Sequence, residues 1–287
     1  MHPFEYVAAA TLEEALGLLA EYGEEAKVLA GGQSLVAMLN YGLARPRVVI
    51  DINGLPLGDV SVEDGRLQVG ALVRYHQLEE SDAVARHSPV LAEAAKLVGN
   101  VRVRALGTVG GSLAHADPAA ELPAVMTALD ARLAVASASG RRTVAARDFF
   151  TGPLTTVLAP HEIVTGAEVT TTPAHGWAVE ELSRRTGDFA VAAVVALVSL
   201  DRRGRVADAR VTFGGVADRP VQARAAEDVL RGHEPTAERV ASAAQAARDA
   251  LDPPSDAFVS GAYRRLIAGV LCRRALTRAV ERALGRS

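Results

Sequence analysis

Cysteine is almost absent from this chain of 287 residues: the one thiol is Cys272. A single cysteine closes no intrachain disulfide, and with seven scattered histidines it supplies no ligand cluster for zinc or an iron–sulfur centre. No excess of one charge is present either. Lys plus Arg number 31 against 34 Asp plus Glu, a formal net charge of -3, so a dedicated nucleic-acid binder with a basic field is excluded. Long apolar runs are missing: Phe189 to Leu200, about 12 residues, falls short of the roughly 20 that a membrane helix needs. Met1 to Ala10 has neither the basic start nor the apolar segment of a signal peptide. These absences point to a reducing, cytoplasmic location, no membrane span and no nucleic-acid partner. Neither a repeat of solenoid length nor a low-complexity linker is found.

What is present is an ordinary globular composition, 49% hydrophobic and 23% charged, enough for a sizeable core without staples. Thr11-Leu12-Glu13-Glu14 reads as a capping box that opens a helix over 12–22, stopped by Gly23. A short apolar segment, Lys27 to Ala30, meets Gly31-Gly32, then a helical stretch over 34–41 and a β-branched strand over 47–52. Asp64-Gly65 predicts a hairpin between 60–62 and 66–69. Helical patterns follow at 74–80 and 88–98, then a second glycine loop over 107–112 and a helix over 118–129 with Pro118 in its first turn. Strands are expected at 132–136 and 142–145 about Gly140. From Trp177 three longer strands (177–184, 189–200, 205–213) on short turns predict an antiparallel meander, followed by helices at 222–231, 236–250 and 260–284. The fold class is α+β: a mixed α/β region 1–175, with subdomains of about 1–57 and 58–175, and a carboxy-terminal region 176–287 with a three-stranded antiparallel sheet and helices.

The Ala30-Gly31-Gly32-Gln33-Ser34 loop joins a strand to a helix, where bare backbone and free amides suit an anion, phosphate above all. It lacks the Walker lysine and the Gly-x-Gly-x-x-Gly spacing. A plain tight turn with Ser34 as N-cap explains it equally. The Thr108-Val109-Gly110-Gly111-Ser112 loop repeats the glycine pair beside a hydroxyl, so that two loops would grip a pyrophosphate from both sides. Asp117 and Glu121, four apart, would face one way on a helical turn and accept from sugar or ribityl hydroxyls; helix-start roles are the plainer alternative. His115 with these two acids matches no zinc spacing, so no metal site is expected. Ser34 and Ser112 lie outside Gly-x-Ser-x-Gly, and no catalytic residue is assigned. Arg184-Arg185 beside Thr186-Gly187-Asp188 reads as a hairpin turn or a ligand contact. The arginine-rich last helix reads as a solvated amphipathic face or a subunit contact.

His2-Pro3-Phe4-Glu5-Tyr6, Lys27 to Leu35, Arg45-Pro46, Asp51-Ile52 and Thr108 to Glu121 together resemble the FAD-binding medium subunit of molybdenum hydroxylases of the carbon monoxide dehydrogenase type, over essentially the whole chain. The resemblance implies a flavoprotein fold of the vanillyl-alcohol-oxidase or PCMH kind. It implies that Leu29, Ala30, Gly31, Gly32, Gln33, Ser34 and Leu35, with Thr108, Val109, Gly110, Gly111 and Ser112, hold the FAD pyrophosphate. Glu121 looks like the family's acidic residue near the ribityl chain, normally aspartate. Val164 and the turn from Arg185 to Asp188 look like isoalloxazine neighbours. The carboxy-terminal domain would close over the flavin. One cysteine cannot ligate clusters that need about four each, so the resemblance places the iron–sulfur clusters and molybdopterin on a small and a large partner subunit, as a dimer of heterotrimers. Electrons would pass from those clusters through FAD to an external acceptor. Two other readings are a self-sufficient FAD oxidoreductase, which needs a general base near the flavin, and a non-enzymatic nucleotide-binding module.

Overall fold

The computed structural model describes residues 2–171 and 176–285. The expected boundary after residue 175 and His175 abut or fall in 172–175, which lie outside the described residues, as does Met1. At the amino terminus β1 (Glu5–Ala8), α1 (Leu12–Tyr22), β2 (Ala26–Leu29), α2 (Leu35–Asn40) and β3 (Val48–Asp51) follow one another. Thr11 caps α1 by accepting from the Glu14 amide, and the Glu14 carboxylate accepts from the Ala10 amide at 2.7 Å. The three strands form a parallel sheet in the order β1-β3-β2. Central β3 is covered on both faces, which is why Val48-Val49-Ile50 reads as an unbroken apolar run. Strand β1 has no such pattern in the sequence: it is a short, mostly exposed edge.

The second layer begins with the hairpin β4 (Val60–Glu63) and β5 (Arg66–Gly70), turned by Asp64 and Gly65 at φ 49 and 71. Six helices follow: α3 (Tyr75–Glu80), α4 (Asp82–His87), α5 (Pro89–Ala95), α6 (Val101–Leu106), α7 (Val109–His115) and α8 (Glu121–Ala128). Then come β6 (Arg132–Ser137), β7 (Gly140–Ala145), α9 (Ala146–Phe149), the small pair β8 (Phe150–Gly152) and β9 (Thr155–Thr156), and β10 (Ile163–Thr170). The late strand β10 inserts in the middle, giving an antiparallel sheet β4-β5-β10-β6-β7. One face of it, through Leu67, Val69, Leu133, Val135 and Val169, packs on Leu91, Leu113 and Val125 of the helices.

Two expectations need correction here. The glycine segment after Thr108 is the first turn of α7 rather than a loop, and the helix expected from Pro118 starts at Glu121. Pro118 instead sits in a turn that Asp117 closes by accepting from the Ala119 amide at 2.9 Å.

In the carboxy-terminal region β11 (Gly176–Ser183), β12 (Ala190–Leu200) and β13 (Val206–Gly214) form the expected meander, and a two-residue β14 (Val221–Gln222) adds a fourth strand. Helices α10 (Arg224–Leu230), α11 (Ala237–Asp249) and α12 (Gly261–Ala283) complete the chain. The sheet is buried on both sides. Ala192, Val194, Ala196 and Val198 pack with Ala268, Leu271 and Leu276 of α12, while Val179, Val195 and Leu197 join the core of the preceding region.

Arg273 and Arg274 of α12 are exposed, while two other arginines of the helix turn toward the preceding region. Arg278 and Arg282 reach Glu93 on α5 at 3.0 and 2.8 Å, Arg278 also reaches Glu180 at 2.5 Å, and Trp177 donates its indole N–H to Glu93 at 3.2 Å. This cluster bolts the last helix to the preceding region.

Candidate functional site

The chain leaves β2 through Gly31 and Gly32 and enters α2. Gly32 sits at φ +70, the left-handed region that glycine occupies without strain. Gly31 meets the other half of the molecule: a Cβ there would lie 2.9 Å from the Gly107 Cα and closer still to the Leu106 carbonyl. The two glycine segments therefore touch, backbone on backbone. Among the described residues the amides of Gly32, Gln33, Ser34 and Leu35 have no protein acceptor, and all four residues line one cleft. Ser34 occupies the N-cap position of α2 without a side-chain capping bond, so capping does not account for it.

A polar chain absent from the sequence reading fixes this turn. Asn53 donates to the Ala30 carbonyl at 2.9 Å and to Asp51 at 2.6 Å, and Arg74 donates to Asn53 at 2.5 Å and to the Leu106 carbonyl. Tyr6 donates to Asp51 at 2.5 Å. Burial works against the Asp51 carboxylate, yet the bonds from Tyr6 and Asn53 and the Arg74 charge hold it below the ordinary carboxylate range. Tyr6 and Asp51 fall in segments that carry the resemblance; Asn53 and Arg74 are brought in by topology.

The segment 108–112 plays a different part. Thr108 caps α7, accepting from the Gly111 amide at 3.1 Å. The amides of Val109 and Gly110 donate to the carbonyls of Val73 and Ala71 at 3.0 and 2.8 Å. These donors are already committed, so the symmetrical picture of two amide cradles gives way to one. Gly110 allows the helix to approach the chain at Ala71, whose Cβ would be 2.6 Å from an added Cβ. What this segment offers the cleft is bare backbone at Gly111 and the hydroxyls of Thr108 and Ser112.

Asp117, Glu121, Val164 and Asp188 line the same cleft, with His115 and with Leu154, Ile163 and Phe189, of which the last three carried no site signal in the sequence. Three expected residues do not line it. Leu29 packs beneath Gly32, Val109 is fully buried in the core, and Arg185 is exposed. At that turn it is Arg184 that has fixed partners, stacking on Phe258 at 4.1 Å and standing 3.9 Å from Asp188. Gly187 packs on the Gly99 carbonyl, so the β11–β12 turn closes one end of the cleft. Asp117 and Glu121 do converge, although not on a shared helical turn. Glu121 is 5% exposed, and burial, reinforced by Asp117, pushes its carboxyl up to about 7.

The cleft encloses about 600 Å³ and is lined by the donor amides, by carboxyl groups and by apolar side chains that include Val164, Ile163 and Phe189. That is the size range of a cofactor site. Anion donors, hydroxyl acceptors and apolar side chains suit a ligand with a diphosphate, a polyol and a flat ring.

Residues 2–170 match the family described as the FAD binding domain in molybdopterin dehydrogenase, and residues 177–279 match the CO dehydrogenase flavoprotein C-terminal domain. The chain belongs to this FAD-binding family. The FAD-binding subunit is 37% identical to subunit alpha of the 6-hydroxypseudooxynicotine dehydrogenase complex of Paenarthrobacter nicotinovorans, over 98% of this chain and 95% of that one. It is also 37% identical to the carbon monoxide dehydrogenase medium chain of Hydrogenophaga pseudoflava, over 97% of this chain and 98% of the relative. A solved structure of carbon monoxide dehydrogenase from Hydrogenophaga pseudoflava, lacking the Mo-pyranopterin moiety of its cofactor, superposes with a TM-score of 0.95 at 38% identity, covering 98% of this chain and 99% of that one. The chain is thus a flavoprotein oxidoreductase subunit of the medium-chain type, with FAD as its cofactor. No helix among the described residues is long and apolar enough to cross a membrane.

Proposed function

We propose that this subunit takes electrons from iron–sulfur clusters on a small partner chain and passes them through FAD to an external acceptor, while a large molybdenum subunit oxidises the organic or gaseous substrate. One observation carries the reading. The chain builds a cleft for a flavin but has a single cysteine, buried in the core, so clusters that need about four cysteines each belong to other polypeptides. Within the cleft, the amides of Gly32, Gln33, Ser34 and Leu35 hold the diphosphate. Asp117 and Glu121 meet hydroxyls, and Val164 and Asp188 stand beside the ring. FAD itself supplies the electron chemistry once bound; the chain binds, orients and shields it. The division at about residue 175 separates the two-part FAD domain from the domain that closes over it. The assembly is a dimer of heterotrimers in the cytoplasm.

Native material captured through this chain is expected to contain two further polypeptides, iron and molybdenum. Its flavin is expected to be reduced when the substrate of the large subunit is added. If the isolated chain oxidised a substrate unaided, the self-sufficient oxidoreductase would replace this reading.

A further inference from the structure

The row of free amides at the glycine turn includes Gly31 as well. Among the described residues the Gly31 amide has no protein acceptor, and Gly31 lines the cleft beside Gly32. Where this amide points is decided by the carbonyl of the same peptide. The Ala30–Gly31 peptide is trans, so its C=O and N–H point in opposite directions. The Ala30 carbonyl accepts from Asn53 Nδ2 at 2.9 Å, and none of Asp51, Asn53 and Arg74 lines the cleft. A carbonyl held from outside the cleft turns the Gly31 N–H toward it.

Asn53 is itself held on every side. Its Oδ1 accepts from Arg74 at 2.5 Å, its side-chain amide also donates to Asp51 at 2.6 Å, and its backbone amide donates to Asp51 at 2.8 Å. Both the donors and the acceptor of the Asn53 side chain therefore have partners, which fixes the orientation of its amide. Arg74 donates in addition to the Leu106 carbonyl, the group against which Gly31 rests. One guanidinium thus ties the glycine turn to the segment that enters α7. Asn53 is exposed and Arg74 half-buried, so each of these bonds adds little to folding. Their effect falls on the direction of one peptide.

We propose that Asn53 is a positioning residue for FAD, with Arg74 behind it: together they turn the Ala30–Gly31 peptide so that the Gly31 amide joins those of Gly32 to Leu35 as a donor to the diphosphate. This rests on the FAD reading of the cleft. Neither side chain touches the cofactor; both act through the Ala30 carbonyl.

The test compares FAD release from native material captured through this chain, followed by flavin fluorescence after dilution. Asn53→Asp keeps the shape but replaces the donor to Ala30 by an oxygen, so the peptide turns and one amide is lost to the diphosphate. Release is expected to be about tenfold faster, the weight of one hydrogen bond to a charged group. Phosphorus NMR of the FAD still bound is expected to show displaced diphosphate resonances, with the visible flavin bands unchanged. Arg74→Lys, which reaches only one of the two acceptors, gives a smaller change in the same direction, and it tests the arrangement if Asn53→Asp does not fold. The double variant loses no more than Asn53→Asp alone, because the two side chains act in series. A purely structural role would lower the urea midpoint and the FAD occupancy while the remaining FAD kept its wild-type phosphorus resonances. That result, or release at the wild-type rate, overturns the proposal and leaves the FAD reading standing. Effects that multiply in the double variant overturn the part given to Arg74. Native wild-type material without FAD overturns the reading and the proposal together.

Discussion

Gly31 rests directly against the Leu106 carbonyl, with no room between them for a side chain. This contact sets the floor of the cleft, because it joins the turn that carries free amides to the segment that leads into α7. Gly31→Val is expected to cost about 1–3 kcal/mol by forcing the two backbones apart, and to abolish FAD retention. Gly23→Ala is the control: Gly23 has a positive φ, 52, which strains any side chain, but nothing lies within 4 Å of an added Cβ. Urea unfolding with flavin analysis should show lost stability in both and lost FAD only in Gly31→Val.

Gly32 and Gly111 should fail for different reasons. A side chain on Gly32 is strained at φ +70 and stands beside the free amides, so Gly32→Val removes FAD directly. On Gly111 a Cβ would lie 2.7 Å from Thr108 Oγ1, the hydroxyl that caps α7. Gly111→Ala should therefore behave as a lost cap, destabilising by about 1 kcal/mol, with FAD affinity reduced less than in Gly32→Val. Equal loss of FAD in both, measured by equilibrium binding, would contradict the single-cradle geometry.

Glu93 collects Arg278, Arg282 and the Trp177 indole at one point between α5 and the carboxy-terminal domain. Glu93→Ala leaves Arg278 with Glu180 and Arg282 with the Trp177 carbonyl, but strips the carboxylate from both and from the indole N–H. The expected loss is about 1–3 kcal/mol, and thermal unfolding of the two domains should become less concerted.

Stability should fall as pH rises from about 5 to about 8. Burial raises Glu121 to about 7 and Glu181 to about 8 from an ordinary value of 4.5. The folded state thus binds more protons than the unfolded state in that window, and the contribution present below the unfolded value is lost as pH passes through the folded values. Glu181→Gln should reduce this slope, measured by urea midpoints at a series of pH values.

Cys272 is buried, and desolvation pushes its thiol up to about 12. Thiol reagents should leave the native chain unmodified and react once it is unfolded in denaturant.

Much of the fold was legible because its signals are local. The Thr11 capping box, the Asp64-Gly65 hairpin, the carboxy-terminal meander and its helices all appear where the residues indicate. What was not legible depends on partners distant in sequence. Strand β1 is defined only by pairing with β3, and Asn53 and Arg74 acquire their roles only when Ala30 and Leu106 are brought together. The glycine pair at 110–111 was read as a loop because glycine is a poor helix former, yet here its lack of side chain allows a helix to approach Ala71. Family resemblance supplied FAD; the free amides of Gly32 to Leu35 and the converging Asp117 and Glu121 supply the physical reason for it.

The most direct measurement is release and identification of the cofactor from native material by acid precipitation and chromatography, for the wild type and Gly32→Val side by side. The account requires one FAD per wild-type chain and none in a folded Gly32→Val chain. A wild-type chain without flavin, or a folded Gly32→Val chain with full FAD occupancy, would contradict it.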